Sequence, residues 1–310
     1  MKNLNEIAAE WGAIGPVELV AERENTVYRI MRTDTPAALR LHRAGYQNEA
    51  SILSELQWTK RLAEAGFPCP KPIAKPDGTF LTPLADGRFA SVVSWVEGAQ
   101  IGAADEPFEG SITQHCDLYS NLGRLLAQLH NTSDEINTDG ITRPTWDLSG
   151  LLGEVPFWGR FWENPALSTN ESNFMIYARD TAHAHLRDMK NADFGLIHAD
   201  ALQENVFINE AGLTLIDFDD AGFGYRSYDL GVSLSQHYTL RYLDDLIAAI
   251  QTGYGTLRKA PSIEDIKFFL MLRCFASSGW VISRQAKKSP TQRRYAERAL
   301  HMAHQWLTTP

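Results

Sequence analysis

The sequence predicts an α+β fold in two parts: a small antiparallel β-sheet lobe followed by a larger, mainly helical lobe. Three observations carry this. Short apolar runs divided by polar turns crowd the first 95 residues. Helical spacing of apolar residues dominates after Gly98. The composition breaks between the two, at Ser94–Gly98.

Each element follows in order. Residues 3–11 read as a short opening helix, and Pro16–Ala21, Thr26–Arg32 and Ala37–His42 read as strands. The turn Glu22-Arg23-Glu24-Asn25 joins the first two. From Gln47 to Ala65, Ile52, Leu53, Leu56 and Leu62 keep helical spacing, and Gly66 stands where a helix C′ glycine would. The prolines of Phe67-Pro68-Cys69-Pro70-Lys71-Pro72 dictate an extended connector. Asp77-Gly78 and Asp86-Gly87 mark turns, and a strand runs through Ala90–Trp95. The composition changes at Ser94–Gly98, which sets the boundary between residues 1–95 and 96–310. Beyond it, Leu122, Leu125, Leu126 and Leu129 form the stripe of a core helix ending at His130. Residues 140–165 form a connector with Trp146, Trp158 and Trp162, and helical spacing returns over 171–190. Two short apolar strands, Gly195–His198 and Leu213–Phe218, precede helices over 239–258, 262–286 and 291–307.

Composition narrows the function classes. The chain has 310 residues, 44% hydrophobic and 22% charged, which is ordinary globular usage and not that of a disordered chain. A net charge of −9 opposes a phosphate backbone, so no nucleic-acid partner is expected. No apolar run approaches the ~18–20 residues that span a bilayer, so no membrane partner is expected either. The opening MKNLNEIAAEWG lacks the apolar stretch of a signal peptide. Cys69, Cys116 and Cys274 are few and far apart, which argues against a disulfide framework or a zinc site and for a cytoplasmic setting.

The densest cluster of polar residues on short apolar strands is His198-Ala199-Asp200, Asn205 and Asp217-Phe218-Asp219. Asp-x4-Asn, a hairpin and then Asp is the order that phosphoryl transfer to an alcohol requires. One carboxylate meets the acceptor hydroxyl, while an amide oxygen and a second carboxylate suit Mg²⁺ beside nucleotide phosphates.

These residues resemble the catalytic core of the aminoglycoside phosphotransferase and choline kinase superfamily, relatives of the protein kinases, whose small-molecule members carry H-G-D-x4-N and a looser D-F motif. The segment IDFDDAGFGYRSYDLG is most similar to the branch of stress-response and homoserine-kinase-like proteins. Weaker likenesses cover Glu24–Arg29, AALRLHR, SELQW and Ser94–Gly98. The resemblance implies a bilobal protein-kinase-like fold, with residues 1–95 as the nucleotide-binding lobe, 96–310 as the catalytic and substrate-binding lobe, and a hinge at 94–98. It implies an ATP- and Mg²⁺-dependent transfer to a small-molecule hydroxyl such as that of an aminoglycoside, choline, ethanolamine or homoserine.

By the same resemblance, Asp200 is the catalytic base and His198 orients its loop. Asn205 and Asp217 hold the metal, with Asp219 near enough in sequence to join them. Asn25 and Thr26 belong to the turn over the phosphates, and Ser94, Trp95 and Val96 to the hinge that meets the nucleotide. Asp229 braces the catalytic loop. Arg40 stands where kinases carry lysine, with Glu55 as its helix partner and Glu49 the second choice. The turn over the phosphates has no glycine. Only 11 residues separate Asp217 from Asp229 and no A-P-E follows, which disfavours a protein Ser/Thr kinase.

Other readings of the same residues stay open at this level. Asp200, Asn205 and Asp217 also suit turns, and Asp217-Phe218-Asp219 also fits a phosphatase-type D-x-D strand. Trp158 and Trp162 fit core packing as well as an aromatic wall for a cationic substrate, to which Asp219, Asp220, Asp244 and Asp245 would add negative charge. His183 and His185 point apart on a helix and make no metal pair. A catalytically weak relative that binds nucleotide or a metabolite as a regulator is the alternative to an enzyme.

Overall fold

Strand β3 explains the first half of the chain. In Thr35–Leu41 the side chains alternate, so Ala37, Leu39 and Leu41 turn to one face while Ala38 and Arg40 turn to the other. The first face packs with Ile7, Ala8 and Trp11 around helix α1 (Leu4–Ala9), and the second faces Ile52 and Leu56 of helix α2 (Glu49–Glu64). A five-stranded antiparallel sheet thus lies between two helices, those read from the sequence over 3–11 and 47–65. Its order is β1-β2-β3-β5-β4, with β1 Ile14–Glu22, β2 Thr26–Arg32, β4 Thr82–Pro83 and β5 Phe89–Ser94. A computed structural model describes residues 3–22, 25–104, 106–190 and 192–308. Arg23 and Glu24, the centre of the predicted β1–β2 turn, lie outside them.

Local chemistry sets the ends of these elements. Asn3 and Glu6 form a reciprocal capping box on α1. Gly66, at φ +86°, closes α2 as predicted: Gly66 N–H donates to the Ala63 carbonyl and Phe67 N–H to the Leu62 carbonyl. The proline connector is extended and pairs with β5 through Pro72, Ile73 and Lys71.

The chain divides into two compact units. The first comprises 1–101, 135–143 and 206–219; the second comprises 102–134, 144–205 and 220–310. Besides the large sheet, the first unit holds a three-stranded sheet made by β6 (Ala99–Gln100) and a hairpin from later in the chain, β9 (Val206–Asn209) and β10 (Gly212–Leu215). Gly98 permits that junction: a Cβ there would lie 2.4 Å from the Ile208 carbonyl oxygen.

In the second unit, helix α3 (Ile112–Glu135) buries the predicted leucine stripe. It runs past His130, because nothing in Asn131–Glu135 breaks a helix and Ser133 Oγ donates back to the Leu129 carbonyl. The tryptophan connector forms β7 (Thr145–Trp146), α4 (Leu148–Leu152) and a 3₁₀ turn over Phe161–Glu163 before α5 (Thr169–Asp188). Strand β8 (Phe194–Ile197) pairs antiparallel with β11 (Gly222–Tyr225), which pairs parallel with β7. Four helices follow: α6 (Arg226–Leu234), α7 (Leu243–Gly255), α8 (Ile263–Trp280) and α9 (Pro290–Thr308). The sequence reading misses β11 and α6, which are short, four and nine residues, and carry Gly222, Gly224, Ser227, Gly231 and Ser233.

By length and composition, Ile263–Ser283 is apolar enough to cross a membrane, contrary to the expectation from uninterrupted apolar runs, but 78% of that window is buried inside the protein. Helix α8 packs against α6, α7 and α9 and is the core helix of the second unit.

Candidate functional site

The candidate residues of the first unit gather around Arg40. On the α2-facing side of β3 its guanidinium meets three carboxylates: Glu55 at 2.8 Å, Asp219 at 2.5 Å and Asp217 at 3.4 Å. Glu49, the second choice for partner, is the first residue of α2 and takes no part in this ion pair. Burial opposes the Arg40 charge, yet Glu55, Asp219 and Asp217 together raise its pKa above the ordinary value. Burial pushes Glu55 up to about 7 against the pull of Arg40, and its Oε2 has no hydrogen-bond partner among the described residues.

Asp219 behaves in the opposite way. Burial would raise it, but Arg40, His42 and the Asn25 amide that donates to its second oxygen hold it well below the usual carboxylate range. Asn25 Oδ1 in turn accepts from Arg43 N–H at 3.1 Å. The backbone beneath is pinned as well. Arg143 donates to the carbonyls of Phe218 and Asp219, and Gln47 Nε2 donates to the latter at 3.1 Å. Asp217 is held in the left-handed region, φ +62°, with 41% of its side chain exposed. Within the D-F-D motif Asp217 is the more exposed carboxylate, and Asp219, with 10% of its side chain exposed, the more buried one.

The other candidates of this unit are strung along its sheets. Thr26 opens β2 opposite Leu41. Ser94 ends β5, its Oγ accepting from Lys71 N–H at 2.9 Å. Arg29 lies over the Trp95 ring, 5.4 Å from its centroid, and Val96 continues toward β6.

In the second unit, β8 ends at Ile197 and delivers His198, Ala199 and Asp200 into a loop braced by Asp229. The Asp229 carboxylate accepts from the backbone N–H of His198 (2.8 Å) and of Ala199 (2.7 Å), and one of its oxygens lies 3.1 Å from His130 Nε2. Burial disfavours the Asp229 charge, but His130, His198 and the backbone donor hold its pKa low. His198 is fully buried, and its Nδ1 accepts from Asp200 N–H at 3.2 Å. Ala199 occupies a left-handed position, φ +63°, a conformation that favours glycine.

Asp200 Oδ1 accepts from Arg273 at 2.5 Å, and its Oδ2 and backbone carbonyl both accept from Asn205 Nδ2 at 2.8 Å. Burial pushes Asp200 up to about 7; Arg273 opposes the rise, while Asp220 and Glu204 add to it. The Asn205 amide nitrogen is committed to Asp200, which leaves its carbonyl oxygen as the end suited to a cation. That oxygen is a hard donor of the kind Mg²⁺ selects, and within the first unit the exposed Asp217 carboxylate is another.

The structure also covers the two tryptophans suggested as a substrate wall. The Arg273 guanidinium lies 4.5 Å from the Trp158 centroid and that of Arg179 lies 4.9 Å from Trp162. Asp244 pairs with Lys267 at 2.7 Å, so its charge is taken up locally. Sequence reasoning missed Arg143 and Arg273. A signal for Arg273 was present, since it is the one charged residue in Phe268–Trp280, an otherwise apolar or small run.

The phosphotransferase enzyme family model matches residues 17–265, and the chain belongs to that family. Among curated proteins it is similar to the amicoumacin kinase of Bacillus subtilis, 24% identical over 237 residues, 74% of this chain and 66% of the relative. It is also similar to the homoserine kinase of Sinorhizobium fredii, 31% identical over 210 residues, 66% of this chain and 58% of the relative. The chain thus spans just under two thirds of the first relative and less of the second. Among solved structures it is similar to a microcompartment-associated aminopropanol kinase, with TM-score 0.81 and 28% identity, covering 94% of this chain and 92% of that one. A solved amicoumacin kinase complex (TM-score 0.76, 17% identity, covering 96% and 92%) shares the fold. The α+β class read from the sequence is the one these comparisons support.

Proposed function

We propose that the protein transfers the γ-phosphoryl group of ATP to the hydroxyl of a small molecule that also carries an amine. The observation that carries this reading is Asp200: a largely buried carboxylate fixed by Arg273 and Asn205, on a loop latched by Asp229. Asp200 orients the acceptor hydroxyl and takes its proton late, after a loose transition state has formed. Arg40, held by Glu55, faces the nucleotide phosphates; Asn25 and Thr26 belong to the turn over them, and Ser94–Val96 to the segment that meets the base. Asn205 and Asp217 are the residues that would hold Mg²⁺, which when bound neutralises charge on the phosphoryl oxygens. Asp219, engaged by Arg40 and Asn25, shares Arg40 with Asp217.

The acceptor class rests on charge and on likeness. Asp220 and Glu204 surround Asp200 with negative potential that favours an ammonium group. The aminopropanol and homoserine kinases similar to this chain are named for amino alcohols. Strand β11 and helix α6 fill the short stretch before and around Asp229, which leaves little chain to dock a peptide.

The test is ADP release over a panel of amino alcohols, aminoglycosides, and amine-free diols and sugars. Turnover is expected with an amine-bearing acceptor. Asp200→Asn should cost about 10³-fold in kcat with nucleotide affinity nearly unchanged, and Asp217→Ala should abolish Mg²⁺-dependent nucleotide binding. Full activity of Asp200→Asn would refute the assignment. The regulator reading is favoured by the triple engagement of Arg40; it expects nucleotide-dependent thermal stabilisation with no ADP release from any acceptor.

A further inference from the structure

We infer that Arg273 is a positioning residue for phosphoryl transfer: stacked on Trp158, it holds both the Asp200 carboxylate and the peptide before it in working orientation. The inference rests on the reading of Asp200 as the base. Helix α8 supplies Phe268–Leu272, Cys274 and Phe275 to the core, all at most 1% exposed, and Arg273 sits among them at 5%. A charge buried in an apolar helix is costly unless it is paired. Arg273 is paired with one loop. Its Nη2 donates to Asp200 Oδ1 at 2.5 Å and its Nη1 to the Ala199 carbonyl at 3.2 Å. Its Nε is buried without a hydrogen-bond partner among the described residues, so the side chain forgoes one bond to reach these two.

The geometry explains why a guanidinium is needed. Two parallel donors grip two acceptors, a carbonyl and a carboxylate oxygen, and the flat face packs against an indole. An ammonium can meet one acceptor but cannot span both while stacked. Ala199 makes the grip matter, because its left-handed backbone is one that an alanine does not hold unaided. Asp229 fixes the N–H side of that loop and Arg273 the carbonyl side. With both in place, Asp200 keeps one orientation while its remaining lone pairs face the acceptor.

Steady-state kinetics of Arg273→Lys, Arg273→Ala and Trp158→Leu test this, each variant checked for wild-type nucleotide-dependent thermal stabilisation. Misplacement of a catalytic group by about 1 Å costs on the order of 10²-fold in rate. Arg273→Ala should therefore lose about 10²-fold in kcat with the KM for ATP within about twofold, and Arg273→Lys should lose less but measurably. Ethylguanidinium at millimolar concentration should restore part of the Arg273→Ala rate, while sodium chloride should not. Trp158→Leu should lower kcat several-fold with Arg273 intact. Wild-type kcat in Arg273→Lys and Trp158→Leu would overturn the inference. So would a raised acceptor KM at unchanged kcat, which would make Arg273 a substrate-binding group. Should Arg273→Ala fail to fold, the lysine and tryptophan variants decide alone. An inactive wild type, or an active Asp200→Asn, would instead refute the underlying function.

Discussion

Asp219 in the first unit and Asp200 in the second are held by the same kinds of donor. Each gives one oxygen to an arginine Nη2 at 2.5 Å and the other to an asparagine amide. Their ionisation differs sharply: Asp219 is held well below the normal carboxylate range, and Asp200 is pushed up to about 7. Burial raises both and an arginine opposes the rise at each, but the Asn25 amide and His42 lower Asp219 further, while Asp220 and Glu204 raise Asp200. His42 lies 4.0 Å from Asp219, whereas Asp220 and Glu204 surround Asp200. Direct donors fix where a carboxylate points; donors and neighbours together fix how strongly it wants a proton. A structural anion and a proton acceptor can thus be built from one local motif.

The largest expected effect comes from breaking the Asp219 side. Arg40→Met leaves Glu55 and Asp219 buried without their shared counter-charge and should cost about 3–5 kcal/mol of stability. Urea unfolding at neutral pH measures it, and a loss below about 1 kcal/mol would mean that the cluster is far better hydrated than its burial implies.

A smaller change sharpens the Asp200 side. A base must be ionised to act, so kcat/KM should fall as pH drops below about 7. Asp220→Asn removes a like charge, lowers the Asp200 pKa and should move that acid limb about half a unit toward lower pH, equivalent to about 0.7 kcal/mol. An unmoved or upward-shifted limb would contradict the comparison.

The smallest effect belongs to a pair with no buried ring around it. Glu171 is held down at about 2, chiefly by its bonds to Arg293 and to Ser168 N–H. The folded pKa is depressed, so this stabilisation is present above the unfolded value near 4.3 and fades as pH falls toward 2. Water screens the pair, and Arg293→Gln should cost no more than about 1 kcal/mol at pH 7. The gap between the two urea midpoints should narrow by pH 3.

Where a physical period or a fixed spacing existed, the fold was legible. The leucine stripe of α3, the alternation in β3 and the Gly66 cap all left such marks. The pairing of Arg40 with Glu55 was legible through the family resemblance, which set Arg40 where kinases carry lysine and Glu55 as its helix partner. Helix α6 was not, being short and interrupted by Ser227, Gly231 and Ser233, nor was the extension of α3 beyond His130. The roles of Arg143 and Arg273 escaped for another reason. Each reaches residues more than 70 positions away, and no local pattern encodes a long-range partner.

The backbone at Ala199 has a bearing on the order in which the chain folds. A left-handed alanine costs about 1–2 kcal/mol, a debt that only the finished loop can settle. The Asp229 carboxylate comes from a helix 30 residues later, so this turn should lock only once that helix is in place, and its buried amides should then exchange slowly.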